Sequence, residues 1–245
     1  VNGLVPVVAL YSTFLQRSYD QILHDVCLQN LHVIFAIDRA GIVGPDGPTH
    51  QGLYDISMLM AMPNMNILAP RDYRELEFML EYAVLNMTGP VAIRYPRASE
   101  CLLMGNEYLS ELKMQYIIRG NDVAILSVGA MADESTKAAK LLEEMGISCE
   151  LVDVRVIRPL DENELISICK NKKLVITCED AVKHCGFSAQ VALLLDSKGL
   201  SVPVISVGTQ DHPVPAAKRA ELFISEEMNA DSIVRIVIKE LKGAT

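Results

Sequence analysis

The sequence predicts an α/β protein of two domains, each a mainly parallel sheet flanked by helices. Three observations predict it. Short runs rich in Val and Ile alternate with amphipathic stretches along almost the whole chain. Each run is continuously apolar rather than alternating, as in strands covered on both faces. The alternation pauses once, over a polar stretch at 98–120 that holds Gly105 and Gly120. That stretch reads as a linker, with room for a short hairpin, between domains at 1–97 and 121–245.

The elements follow in order. The first strand is expected at 5–10, just after Gly3, which reads as the stop of a helix. A helix end with no helix before it suggests a chain that starts inside a domain. An amphipathic helix at 16–29 places Tyr19, Leu23, Val26 and Cys27 on one face. Strands are expected at 33–38, 66–69 and 91–95, with a helix at 71–84 that opens after Pro70 and carries Asp72 in its first turn. The second half begins with a strand at 123–128 and a helix at 133–145 that stops at Gly146. A strand at 148–155 leads to a helix at 161–169, for which Asp161 is the N-cap. Strands at 174–179 and 202–207 precede a final amphipathic helix at 230–241. Strand–helix–strand order implies parallel pairing with right-handed crossovers.

Composition removes several function classes. With 245 residues, half of them hydrophobic, the chain can bury a sizeable core. A net charge of −9 and a pI near 5.1 argue against general nucleic-acid binding. No apolar run approaches the roughly 18 residues a membrane-spanning helix needs, and no secretory signal peptide is visible. Residue 1 is Val rather than Met. The six cysteines are scattered and form no CxxC, which suits free, mostly buried thiols in the cytoplasm. No spacing suggests a metal site.

The densest polar segment is Asp38–Gly52, at the carboxyl end of a buried strand, where open α/β sheets bind ligands. Its glycines and prolines give it a tight, fixed shape. Arg39 offers a planar fork of donors to a phosphate or carboxylate. His50 can move a proton near neutral pH. Asp46 can orient His50 or accept from a substrate hydroxyl. A solvated surface loop is the competing reading. Two further segments lie at equivalent strand ends: Tyr11 to Arg17, and Arg94 to Arg97. In a parallel sheet these edges converge, so Arg17, Arg39, Arg97, His50 and two aromatics form a basic pocket in an acidic protein. A small phosphorylated ligand suits it best, with structural salt bridges at Arg17 and Arg97 the competing reading. Arg94 is the weaker candidate, because strand alternation turns it away from Arg97. His24, His32, His184 and His212 read as structural or loop residues, and Met58, Met60, Met62 and Met65 as core.

The strings Tyr11-Ser-Thr-Phe-Leu-Gln-Arg17, Asp38-Arg-Ala-Gly41, Gly47-Pro-Thr-His-Gln51, Pro63-Asn64 and Arg94-Tyr-Pro-Arg97 resemble the 1-deoxy-D-xylulose-5-phosphate synthase family, within the thiamine-diphosphate-dependent transketolase group. The resemblance spans the chain: 1–97 look like most of a pyrimidine-binding domain and 121–245 like a transketolase C-terminal domain. It implies condensation of pyruvate with glyceraldehyde 3-phosphate and loss of carbon dioxide, in isoprenoid precursor synthesis. It also implies thiamine diphosphate and Mg2+ as cofactors and a cytoplasmic homodimer. By the same resemblance, Phe14 packs on the cofactor's aminopyrimidine. Arg39, Arg97 and Tyr11 hold the triose phosphate, and Arg17 lies close in the pocket. His50 assists proton transfer and Asp46 contacts a substrate hydroxyl. The family's activating glutamate and its diphosphate and metal motif belong to positions before Val1. The chain is therefore expected to be the C-terminal part of a longer enzyme, inactive alone. The alternatives are the C-terminal subunit of a split transketolase, a 2-oxoacid dehydrogenase β subunit, or a non-catalytic assembly module.

Overall fold

A computed structural model describes residues 3–98 and 111–243. The expectations for Val1, for Cys101 and for most of the linker lie outside those residues. Two five-stranded sheets organise the rest. In the first, β1 (Val7–Tyr11), β2 (Ile34–Asp38), β4 (Val91–Arg94) and β3 (Asn66–Leu68) lie side by side in parallel. In the second, β10 (Val204–Thr209), β9 (Leu174–Val182), β6 (Val123–Ser127) and β7 (Cys149–Asp153) do the same. Each sheet carries one antiparallel edge strand. β5 (Gln115–Ile118) pairs with β7, and β8 (Val156–Arg158) crosses over to pair with β3 of the first sheet.

Continuous apolar runs make strands here because both faces are covered. In β6, Ala124 and Leu126 point into one cluster while Val123 and Ile125 point into another. In the first sheet, Phe35 and Ile37 face one way and Ile34, Val91 and Ile93 the other. One cluster takes Phe35, Ile37, Ile67 and Ala92 from the first sheet and Leu126, Val152 and Val175 from the second. The two sheets therefore share an inner core. The outer faces are covered by α2 (Tyr73–Asn86) on the first sheet, and by α3 (Ala132–Glu144) and α7 (Ala230–Gly243) on the second.

Local signals explain most helix ends. Asp72 caps α2, its carboxylate accepting from the Glu75 N–H at 2.9 Å. Asp161 caps α4 (Glu162–Cys169) in the same way through Glu164. Gly146, at φ +80°, closes α3 as a C′ glycine.

Four features differ from expectation, the first being β8, which lies where no strand is predicted and joins the first sheet. β1 is an edge strand, so Val7 and Val8 are 49% and 41% exposed instead of covered on both faces. The expected single helix at 16–29 is a 3-10 helix over Ser12–Ser18 followed by a wide, π-type turn over Gln21–Cys27. The tight 3-10 pitch aligns side chains three apart, which puts Phe14 and Arg17 on one side. Two short helices, α1 (Asp55–Met60) and α6 (Arg219–Ser225), were not expected; both sit in segments too short to show a helical period. The turn at His184–Gly186 leads into α5 (Phe187–Ser197). Among the described residues, no helix is long and apolar enough to cross a membrane.

Candidate active site

Parallel register brings the expected residues to one edge. Tyr11 is paired with Asp38 at the carboxyl ends of β1 and β2, and Tyr95 donates to the Ile37 carbonyl at 3.0 Å. The loop leaving β2 turns at once, with Arg39 in the left-handed region at φ +58°. It returns to close on itself: Gly41 and Gly52 exchange backbone hydrogen bonds of 2.6 and 2.8 Å. Only glycine fits at 52, because a Cβ there would stand 2.1 Å from the Arg39 carbonyl oxygen. The loop is thus a pinched hoop rather than a solvated strap.

Arg39, Asp46 and Arg97 meet inside it. Both guanidinium groups donate to the same oxygen, Oδ2 of Asp46, at 2.8 and 2.9 Å. Arg39 also lies 4.1 Å over the Tyr11 ring, a cation–π contact. Tyr11 stacks on Phe14 with centroids 5.7 Å apart, and Phe14 meets the His50 ring edge-on at the same distance. The Thr49 hydroxyl bonds Nδ1 of His50 at 3.0 Å, and Thr13 donates to the Thr49 carbonyl at 2.7 Å. His50 is therefore oriented by Thr49. Asp46, the residue suggested by sequence for that task, is engaged by the arginines instead.

Arg17 takes a separate place. With Phe14, Thr49, His50, Gln51 and Tyr54 it lines a cavity of about 380 Å³. The site has two compartments, a corner where Arg39 and Arg97 meet on Asp46 and an aromatic cavity at Phe14, Arg17 and His50. The Tyr11–Phe14 stack joins them. Arg94 is outside both. It is buried and makes a fork to Asp55 at 2.8 and 3.3 Å, so its role is structural.

Three residues with no role in the sequence reading support the loop. Gln51 is buried and accepts from the Val43 N–H at 2.7 Å while donating to the Pro215 carbonyl at 3.1 Å. Asp180 and Arg219 reach the loop from the second half of the chain. Gln51 had a visible signal, its place beside His50, whereas Asp180 and Arg219 had none. Nearby, burial raises the Glu179 carboxyl to about 7, although the N–H groups of Phe187 and Ser188 at the start of α5 donate to it. Burial also pushes the thiols of Cys149, Cys169 and Cys178 up to about 12, which makes them unreactive packing groups. Among the described residues, no group of three His, Cys, Asp or Glu side chains could hold a metal ion.

Two mainly parallel sheets sharing a core match the paired-domain architecture of the transketolases. The family description "Transketolase, pyrimidine binding domain" matches residues 1–100 and "Transketolase, C-terminal domain" matches residues 112–233. The chain belongs to the transketolase family. Its curated relatives include 1-deoxy-D-xylulose-5-phosphate synthases. That of Synechococcus sp. (strain JA-2-3B'a(2-13)) is 41% identical over 99% of this chain and 39% of the relative. That of Pelotomaculum thermopropionicum is 44% identical over 97% of this chain and 38% of the relative. The chain thus spans about two fifths of the length of these relatives. Among solved structures, a split-gene transketolase described as an inactive beta4 tetramer superposes with a TM-score of 0.89 at 27% identity, covering 98% of this chain and 77% of that one. A transketolase from Campylobacter jejuni superposes with a TM-score of 0.77 at 20% identity, covering 96% and 36%, and shares the fold.

Proposed function

We propose that the chain supplies the pyrimidine-binding and C-terminal domains of a 1-deoxy-D-xylulose-5-phosphate synthase, which joins pyruvate to glyceraldehyde 3-phosphate with loss of carbon dioxide. The observation that carries the reading is the convergence of Arg39 and Arg97 on one point, beside Tyr11 and next to a cavity holding Phe14 and His50. Two guanidinium groups aimed at one oxygen suit a phosphate, which takes several charge-assisted bonds at once. The identity of 41–44% to synthases, against 27% to the split-gene transketolase, favours the synthase over a general transketolase.

Each residue then has a task. The phosphate takes over the donors of Arg39 and Arg97, and Asp46 is left to accept from a substrate hydroxyl. His50 has Nδ1 bonded to Thr49, which leaves Nε2 to carry a proton to or from the reacting oxygen. Arg17 adds positive charge to the aromatic compartment, where the pyruvate carboxylate is drawn in. The residues present fit a planar heteroaromatic cofactor: the Phe14 ring is 40% exposed and faces the cavity as a flat apolar surface. Thiamine diphosphate bound there would supply the electron sink for the carbon–carbon chemistry, and its diphosphate would bring Mg2+. The enzyme would work as a cytoplasmic homodimer.

Calorimetric titration of this chain with glyceraldehyde 3-phosphate tests the reading. Binding is expected, with a loss of about tenfold or more for Arg39→Ala and for Arg97→Ala. No binding by the unmodified chain, or equal binding by both variants, would sink it.

A further inference from the structure

The loop that carries Arg39, Asp46 and His50 belongs to the first sheet, yet its shape is fixed from the second. Asp180 follows the buried Glu179 on β9 and is itself 1% exposed. Its Oδ1 accepts from the Ile42 N–H at 2.9 Å, and its Oδ2 accepts from Nη2 of Arg219 at 2.6 Å. Arg219 also donates through Nε to the Ile42 carbonyl at 3.0 Å. One residue, Ile42, is therefore held at both its N–H and its carbonyl, and so through the two peptide units that flank it, by a single ion pair. The fit is close: a Cβ on Gly41 would lie 2.2 Å from the Asp180 carboxyl, so only glycine lets the loop settle on it. The backbone of Asp180 is fixed in turn by Arg94, which donates to its carbonyl at 2.9 Å. Farther along the loop, Gly44 approaches the Ala217 carbonyl and Gln51 reaches the Pro215 carbonyl, so segment 215–219 braces it.

We infer that Asp180 and Arg219 are positioning residues for the phosphate corner and for His50, acting through the Ile42 backbone without touching substrate. The inference rests on the proposed function for the identity of the ligand. Its physical basis does not depend on it. Arg39 precedes the clamped residue by three positions, and Asp46 and His50 follow it within the hoop closed by Gly41 and Gly52. A rigid loop delivers Arg39 and Asp46 already aligned, and a small misplacement of such groups is costly. A bare charge on the loop surface would not need this pair. A buried carboxylate is retained where it has a partner and a geometric task.

The test compares this chain with Arg219→Lys and with the doubly neutral Asp180→Asn/Arg219→Gln, which leaves no buried charge unpaired. Hydrogen exchange at the Ile42 amide, the NMR chemical shifts of the His50 ring and calorimetric affinity for glyceraldehyde 3-phosphate are read, with the thermal midpoint as the control for folding. In the double variant the Ile42 amide is expected to exchange about tenfold faster or more. The His50 ring resonances are expected to move, and triose-phosphate affinity to fall roughly fivefold or more. Arg219→Lys, which can keep one of the two contacts, is expected to lie between. A merely structural pair would lower the thermal midpoint and leave the His50 resonances in place, and that result overturns the inference. Unchanged exchange at Ile42 overturns it as well. If the unmodified chain binds no triose phosphate, the functional reading fails, while exchange and the His50 resonances still decide the clamp. If the double variant does not fold, Arg219→Lys decides by the same readouts.

Discussion

Asp46 holds two arginines with one oxygen, and this arrangement governs how the corner meets an anion. Its carboxylate already occupies the point where a phosphate oxygen would bind. Removing its charge should therefore free the donors: Asp46→Asn is expected to bind inorganic phosphate about tenfold tighter, on the order of 1.4 kcal/mol. Glyceraldehyde 3-phosphate should gain less, because the same substitution weakens the acceptor for its hydroxyl. Calorimetry with both ligands at low salt checks this, and weaker phosphate binding by Asp46→Asn would contradict it. At this scale the sequence was informative where chemistry is local. Tyr11 and Arg39 stand at strand ends that parallel pairing brings together, and Phe14, His50 and Arg97 follow on the segments leaving those ends. The partner of Asp46 was not legible, because whether a carboxylate turns to a histidine or to two arginines depends on side-chain packing. Asp180 was not legible either: it is 138 residues from the amide it holds.

Among the elements, α5 shows how a cap can carry a pH dependence. Glu179 points up the end of β9 and takes the N–H groups of Phe187 and Ser188 at 2.8 and 2.9 Å. A negative charge suits a helix N-terminus, but here burial outweighs that benefit and raises the group from 4.5 to about 7. The sign follows from linkage. The folded chain holds this proton more tightly than the unfolded chain, so the stability from Glu179 is fully present below about 4.5 and is lost as pH rises through about 7. A shift of that size corresponds to roughly 3 kcal/mol. Glu179→Gln is expected to flatten the decline of the urea midpoint between about pH 5 and 7; parallel profiles for variant and parent would refute the assignment. Capped helices such as α2 and α4 were legible from Asp72 and Asp161. The 3-10 and π-type turns over 12–27 were not, because amphipathic spacing does not distinguish a regular helix from one wound tighter and then wider.

Across the whole molecule, the two sheets behave as one body. They share the cluster that includes Phe35, Ile37, Leu126 and Val175. Strand β8 then ties the second half of the chain to the first sheet, where Arg158 donates to the carbonyls of Met60 and Met62 at 2.6 and 2.7 Å. Unfolding is expected to be a single transition by every probe. Arg158→Met, which leaves both carbonyls unsatisfied, should lower stability by about 2–3 kcal/mol without splitting it. Circular dichroism and tyrosine fluorescence, followed in urea, check both points, and two separated transitions in the parent chain would contradict the shared core. The parallel sheets were legible from continuous apolar runs. The crossing of β8 was not, since three residues of strand carry too little pattern to announce which sheet they join.

That crossing has a consequence for inheritance. A recombination event between the two halves would leave β3 with an open row of backbone donors and acceptors on one side, a ready template for pairing with other chains. A newly acquired second half would have to bring its own matching strand and its own arginine for the Met60 and Met62 carbonyls. The two halves are thus expected to be passed on as a single genetic module, and shuffling that respects only the apparent gap between them should yield aggregates rather than new enzymes.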